Sequence, residues 1–298
     1  MIEIYQLSKK FEDNIVVDNV SFSVQKGSIY GLLGSNGAGK TTLLKMLTGI
    51  YKQDTGQAEI NGETVFENLA IKNKLIFMPD IPFFFSHYTV KQMADYYSTI
   101  YPHWDWERFE KLKAMFDIDV DKKVQRFSKG MQRQVAFWLA FSSMPDVVLL
   151  DEPFDGLDPV IRKKVKNMLV QDVADREMTV IISSHNLREV EDICDHIGIL
   201  HKGQMMLEKD LDDLKSDVHK IQIAFKEDPT QIFEGLKVLH QEKRGSVILC
   251  VVRGKEEEIE KHFRSLHPVL FDMLPLTLEE IFIYEMGEAG YAIGNLLV

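Results

Sequence analysis

The stretch Gly34-Ser35-Asn36-Gly37-Ala38-Gly39-Lys40-Thr41 narrows the possible folds more than any other part of this chain. It fills every fixed position of the pattern G-x-x-x-x-G-K-[ST], and its flanks meet the structural condition that the pattern needs. Into it runs IYGLLG (Ile29–Gly34), an apolar run ending in glycine, typical of a buried strand. After it, TTLLKMLTG opens a helix that stops at Gly49, a suitable C-terminal glycine. A strand, a glycine loop and a helix in this order turn backbone N–H groups inward around a phosphate and aim the positive end of the helix at it. Lys40 brings a point charge to β- and γ-phosphates, and the Thr41 hydroxyl is a ligand for Mg²⁺. Residues 34–41, with Thr42 beside them, are the expected phosphate site.

Such a loop needs a carboxylate on a neighbouring strand to position Mg²⁺. The run VVLLDE provides Asp151 at the end of a buried strand, and Glu152 follows at once. Adjacent strand residues face opposite ways, but at a strand end both can reach one site. Asp151 is expected to hold the metal through water, and Glu152 to polarise an attacking water as general base. The next apolar strand, MTVIISSH, ends at His185. Ligands of an open parallel sheet lie beyond the carboxyl ends of its strands, so His185 is expected to reach a γ-phosphate.

The remaining chain divides into three patterns. Residues 1 to about 80 read as strands broken by turns and one helix. From about 82 to 144 the pattern is helical and rich in aromatics, with Pro102 between two helical segments. From 146 strands and helices alternate: IRKKVKNMLVQDVA and NLREVEDICD read as helices, and HIGILHKGQMMLE as a hairpin turning at Lys202–Gly203. This is an α/β core. Past about residue 212, HKIQIAF and SVILCVV read as strands, and EEEIEKHFRSL and TLEEIFIYEM as helices, which makes a small α+β appendage. The expected division is an ATPase-like domain over 1–212 and an accessory domain over 213–298.

A net charge of −11 weighs against a nucleic-acid partner, since such proteins usually show a basic face. Cys194 and Cys250 have neither disulfide nor zinc spacing and read as buried thiols. The start MIEIYQLSKKF lacks the apolar core of a signal peptide, and no apolar run is long enough to span a membrane. The expected location is the cytoplasm, with any membrane reached through a partner.

The stretch FSKGMQRQVAFWLA (Phe127–Ala140) reads as a Ser-Lys-Gly turn that starts a helix. It too is suited to an anion: the Ser128 hydroxyl, the bare Gly130 N–H and a helix N-terminus all point one way. With the phosphate loop, the DE-ended strand and the strand-ending histidine, this order of motifs resembles the ATPase subunits of ABC transporters over roughly residues 1–210. The resemblance implies a P-loop NTPase fold with an inserted helical subdomain. It also implies two subunits packed head to tail around two Mg·ATP, so that Ser128 and Gly130 cap the nucleotide of the other copy. Phe11 matches the aromatic that stacks on adenine, Asp80 the residue, usually Gln or Glu, that senses Mg²⁺, and Asp155-Gly156-Leu157-Asp158 the loop linking the two sites. Lys129 and Met131 depart from the family's Gly and Gln, and Asp80 is one methylene shorter than Gln and charged.

A single ATPase domain without a span implies a separate membrane permease, with IPFFFSHYTV lying where that family docks it. Phe83, Phe84, Phe85 and Tyr88 would line the groove or pack the helical subdomain. The ending LPLTLEEIFIYEM and FSKGMQRQ resemble a subgroup of bacterial ATPase subunits that export hydrophobic drugs, peptide antibiotics or amphipathic peptides such as phenol-soluble modulins. Alternatives are an importer ATPase and a soluble ABC ATPase with a non-transport partner. Ribosome-acting members carry two ATPase domains and chromosome-organising ones long coiled coils, and neither is present here. A P-loop switch protein or kinase would lack the Ser128–Gly130 turn.

Overall fold

The computed structural model describes residues 2–226 and 232–288 and separates into two compact units, Met1–Glu208 and Lys209–Val298. The chain begins with two long strands, β1 (Ile2–Phe11) and β2 (Asn14–Val24), followed by the short β3 (Ile29–Leu33). Helix α1 (Lys40–Leu47), strands β4 (Thr55–Ile60) and β5 (Glu63–Thr64), helix α2 (Leu69–Lys72) and strand β6 (Leu75–Met78) come next. Three helices then interrupt the strands: α3 (Val90–Ile100), α4 (Trp106–Phe116) and α5 (Lys129–Ser142). Alternation resumes with β7 (Val147–Asp151), α6 (Pro159–Arg176), β8 (Thr179–Ser184), α7 (Leu187–Val190), β9 (His196–His201) and β10 (Gln204–Asp210).

Two sheets organise the first unit. One has the order β2-β1-β4-β5, with β1 antiparallel to both β2 and β4. The other has the order β10-β9-β3-β8-β7-β6, and the pairs β9/β3, β3/β8, β8/β7 and β7/β6 are parallel. Every residue of β3, β7 and β8 is buried. That is the signature of strands covered on both faces, and it explains why they read as unbroken apolar runs. The buried face of α1, Leu43, Leu44, Met46 and Leu47, joins one core with Ile2, Leu7, Leu32, Leu149 and Ile181.

The inserted helices have their own packing. Trp138 of α5 stacks on Phe109 of α4 at 4.5 Å between ring centroids, and its indole N–H donates to the Phe109 carbonyl at 2.8 Å. A buried indole that keeps its hydrogen bond is the favourable way to use tryptophan in a core. Arg108 of α4 ties the insert to α6 through both carboxylate oxygens of the buried Asp172, at 2.5 and 2.6 Å.

The second unit contains α8 (Leu211–Ser216), β11 (Val218–Ala224), β12 (Lys237–Arg244), β13 (Val247–Arg253), α9 (Glu256–Ser265), β14 (Leu270–Leu274) and α10 (Leu278–Glu288). Its sheet, in the order β12-β13-β11-β14, is antiparallel throughout. Ile259 and Phe263 of α9 pack on Ile221, Ile223, Cys250 and Val252. Both cysteines are buried.

Three elements differ from the sequence reading. NLREVEDICD makes only the one-turn helix α7, because Asp195 is drawn back to β3: its carboxylate accepts from the Ile29 N–H and its own N–H donates to the Ile29 carbonyl. Strands β12 and β14 carry no clear apolar alternation. Both lie at the edges of their sheet: β12 is mostly polar, as edge strands often are, and β14 is only five residues long and partly exposed.

Candidate active site

The parallel sheet brings three separate segments together at the carboxyl ends of β3, β7 and β8. The loop after β3 closes over itself. Lys40, buried at the start of α1, donates to the Gly34 carbonyl at 2.6 Å and to the Ser35 carbonyl at 3.3 Å. Gly39 precedes the helix at φ 108°, and a Cβ there would stand 2.6 Å from the Val16 carbonyl oxygen, so no other residue fits. A cavity of about 250 Å³ lies over this loop, lined by Val16, Asn36 to Thr42, Asp80 and Glu152.

Asp151 is 2% exposed and fully engaged. The Thr41 hydroxyl donates to one carboxylate oxygen at 2.7 Å and the Ser183 hydroxyl to the other at 2.6 Å. Ser183, the residue paired with Asp151 across β7 and β8, was not singled out by the sequence reading. Its place near the end of the apolar run MTVIISSH, beside a strand-ending carboxylate, is a signal that could have found it.

Glu152 has φ 46°, the left-handed region that non-glycine residues rarely adopt. Its N–H is held there by the Ser183 carbonyl at 3.2 Å and the Ser183 hydroxyl at 3.1 Å. This turn is why two adjacent residues both face the site. The Glu152 carboxylate stands between two basic groups, with Oε1 3.2 Å from Lys40 Nζ and Oε2 2.9 Å from His185 Nδ1. The His185 backbone N–H also points at Oε2, at 3.3 Å. Glu152, Asp155 and His185 place one ligand atom each within 4.8 Å of one another. Beneath them lies Glu189, whose carboxyl is pushed above its ordinary value by burial and by Asp155 and Glu152, against the opposing charge of Arg162 at 3.3 Å.

The other expected residues fall into place differently. Ser128 caps α5, its hydroxyl oxygen accepting from the Met131 N–H at 3.2 Å. Gly130 is required locally, since a Cβ on it would lie 2.7 Å from the Gly156 carbonyl oxygen. The Asp158 carboxylate caps α6 by accepting from Val160 and Ile161 N–H, both at 3.0 Å, with Pro159 opening the helix. Asp80 lines the cavity, but its carboxylate is paired with Arg133 at 2.8 Å, a partner the sequence reading did not provide. Phe11 lies outside the cavity lining. Its ring meets Tyr51 edge-on at 5.3 Å, with Lys9 Nζ 5.5 Å from its centroid.

The residues present suit a magnesium nucleotide. A lysine, a glycine loop that admits no Cβ at position 39, and a hydroxyl paired with a buried carboxylate form a donor and acceptor set for a phosphate chain and a hard cation.

Comparison with known proteins agrees with this chemistry. Residues 17–155 match the ABC transporter family. The chain is 36% identical over 287 residues to the ABC transporter ATP-binding protein YtrB of Bacillus subtilis (strain 168), covering 96% of this chain and 98% of that protein. The bacitracin transport ATP-binding protein BcrA of Bacillus licheniformis is 33% identical over 218 residues, 72% of this chain and 71% of its own length. A solved ATP-binding subunit of an ABC transporter matches with a TM-score of 0.67 at 27% identity, over 72% of this chain and 92% of that one. The cassette MJ0796, in a dimeric post-hydrolysis state bound to ADP and Pi, shares the fold with a TM-score of 0.64 at 20% identity, over 71% of this chain and 99% of its own. The phosphate loop and the strand-ending carboxylates thus belong to an ATPase, and the chain is a member of the family of ABC transporter ATP-binding proteins.

Proposed function

We propose that two copies of this chain bind two Mg·ATP head to tail and that their closure and reopening drive a separate membrane permease. The observation that carries the catalytic part is the Glu152 carboxylate, held between Lys40 and His185 one residue from Asp151. Lys40 and the glycine loop bind the phosphates. Thr41 and Asp151 would hold Mg²⁺, which when bound neutralises charge developing on the phosphate oxygens. Glu152 takes the proton of the attacking water, and His185 orients that carboxylate and the γ-phosphate. The Ser128 oxygen accepts its cap bond, leaving the hydroxyl proton to donate to the nucleotide of the second copy. Phe11 supports adenine, and Asp158 belongs to the turn between the two sites.

For the permease, the support is an exposed apolar surface on the insert. Ile81 is 82% exposed and Phe83 75%, with Tyr88, Tyr96 and Ile100 also exposed. Phe85 links Phe83, Tyr88 and Tyr96 through ring contacts of 5.7, 5.2 and 4.8 Å. Phe84 is buried instead. Among the described residues no helix is long and apolar enough to cross a membrane. In this reading the membrane is reached through the partner, from the cytoplasmic face. Export of peptides or hydrophobic antimicrobials is favoured by the likeness to the bacitracin transport protein. The unit from Lys209 onward is read as an accessory domain.

Glu152→Gln tests this reading. It is expected to keep ATP binding, lower turnover by about 10²–10⁴-fold, and hold a closed dimer that co-purifies with a multi-span protein from detergent-solubilised membranes. Parental turnover would remove Glu152 as the base. Recovery of the variant without any membrane protein would remove the transport reading.

A further inference from the structure

Arg133 has no part in the chemistry assigned so far, yet it is one of the few buried cations of the first unit, at 7% exposure. It lies on α5, one turn beyond Gly130 and on the same face. Its guanidinium reaches two separate pieces of chain, the Glu152–Asp155 turn and Asp80. Nη1 donates to the Glu152 carbonyl at 2.6 Å and to the Asp155 carbonyl at 2.7 Å. Nη2 donates to the Asp80 carboxylate at 2.8 Å and also to the Asp80 backbone carbonyl. The residue pinned from behind by Nη1 is the same Glu152 whose carboxylate faces Lys40 and His185.

Carbonyl oxygens are neutral, so three of these four contacts leave a buried charge uncompensated. A buried guanidinium needs an anion and satisfied donors. The Asp80 carboxylate is the anion within reach, and its own exposure of 52% lets it carry charge at little cost. On this geometry the Asp80 side chain answers to Arg133 before it answers to a cation.

We propose that Asp80 and Arg133 are a positioning pair for hydrolysis: Asp80 holds the Arg133 guanidinium, which clamps the backbone of Glu152 and Asp155 and so aims the Glu152 carboxylate. The proposal rests on Glu152 being the base. It assigns Asp80 a role distinct from metal binding, and it makes Arg133, whose guanidinium is taken up by backbone carbonyls and the Asp80 carboxylate, necessary for the rate.

The test is a double-variant cycle on the full chain, reading kcat and KM for ATP, the Mg²⁺ concentration for half-maximal rate, and the melting temperature. Misplacing a reacting group by about 1 Å costs on the order of 10²-fold, so Arg133→Gln is expected to lower kcat by about 10–100-fold with KM changed less than about threefold. Asp80→Asn should lower kcat by about 5–10-fold without moving the Mg²⁺ midpoint, and the double variant should be no slower than Arg133→Gln alone. Arg133→Lys, which keeps the charge, should recover part of the rate, and it carries the cycle if Arg133→Gln does not fold. A raised Mg²⁺ requirement in Asp80→Asn, or effects that simply multiply, would overturn the pair. Glu152→Gln is run beside them. If it turns over like the parent, the reading of the base fails. If it is inactive while Asp80 and Arg133 act independently, only the positioning pair fails.

Discussion

The two units of this chain use similar apolar strands to opposite ends. In the first, β3, β7 and β8 are buried on both faces, and their one charged residue, Asp151, stands at a carboxyl end. In the second, β11 and β13 mix buried with partly exposed positions, with α9 packed on Ile221 and Ile223 and Lys220 of β11 paired with Glu280 of α10. Among the described residues, every charged side chain classed as buried lies in the first unit: Lys40, Arg133, Lys166, Asp151, Asp172 and Glu189. Buried charge is costly and persists where each group has a partner. The first unit thus holds buried, partnered charge both at the carboxyl end of its parallel sheet and along α6, and among the described residues the second unit buries none.

The hardest blow to this contrast falls on the apolar core of the second unit. Phe263 is fully buried there, and Phe263→Ala is expected to cost about 3–5 kcal/mol of that unit's stability. ATP affinity should stay within about twofold if the two cores are independent. Calorimetry of the full chain with parallel nucleotide titration checks both, and a large loss of affinity would show that the second unit is no bystander. A smaller effect is expected in the first unit from Ser183→Ala, which strips one donor from the buried Asp151 carboxylate. The expected cost is about 1–3 kcal/mol, accompanied by a weaker response to Mg²⁺. Urea unfolding and a Mg²⁺ titration of the rate read these out.

The smallest effect is also the most diagnostic, because its sign differs between the units. The Glu189 carboxyl is raised by burial, so the folded first unit binds its proton more tightly than the unfolded chain does. That contribution favours folding below the ordinary pKa of 4.5 and is lost as pH rises through the higher folded value. Burial of Glu280 also acts to raise its carboxyl, but Lys220 Nζ at 2.6 Å and the Thr277 N–H at 3.0 Å outweigh it, and the net shift is downward. Its contribution is present above 4.5 and is lost as pH falls through the lower folded value. Melting curves from neutral to acid pH should therefore change slope in opposite senses in Glu189→Gln and Glu280→Gln, each relative to the parent. Slopes of the same sign would mean that one of these carboxylates is misassigned.

Much of the site was legible because its parts are short and contiguous. The phosphate loop sits between a strand and a helix, and Asp151, Glu152 and His185 end apolar runs whose edge is set by parallel pairing. What escaped were contacts without a side-chain code. Arg133 recognises backbone carbonyls of Glu152, Asp155 and Asp80, and nothing in those residues' identities announces that. Gly130 was readable as an anion-binding glycine, whereas its close approach to the Gly156 carbonyl depends on how α5 meets a loop 26 residues away in sequence. The edge strands β12 and β14, the first polar and the second short, escaped because they have only one neighbouring strand each and bury little side chain.

The inserted helices leave the parallel sheet at the end of β6 and return at the start of β7, two strands that lie side by side at its margin. Because these strands are parallel, exit and return fall at opposite ends of the margin. The line through them runs along β6, as the pins of a door run along its frame. A body hung on two pins keeps one freedom, a swing about that line. Two bolts are set away from that line, Arg133 on the Glu152–Asp155 turn and Arg108 on Asp172 of α6, so the insert is fixed against the sheet while both hold.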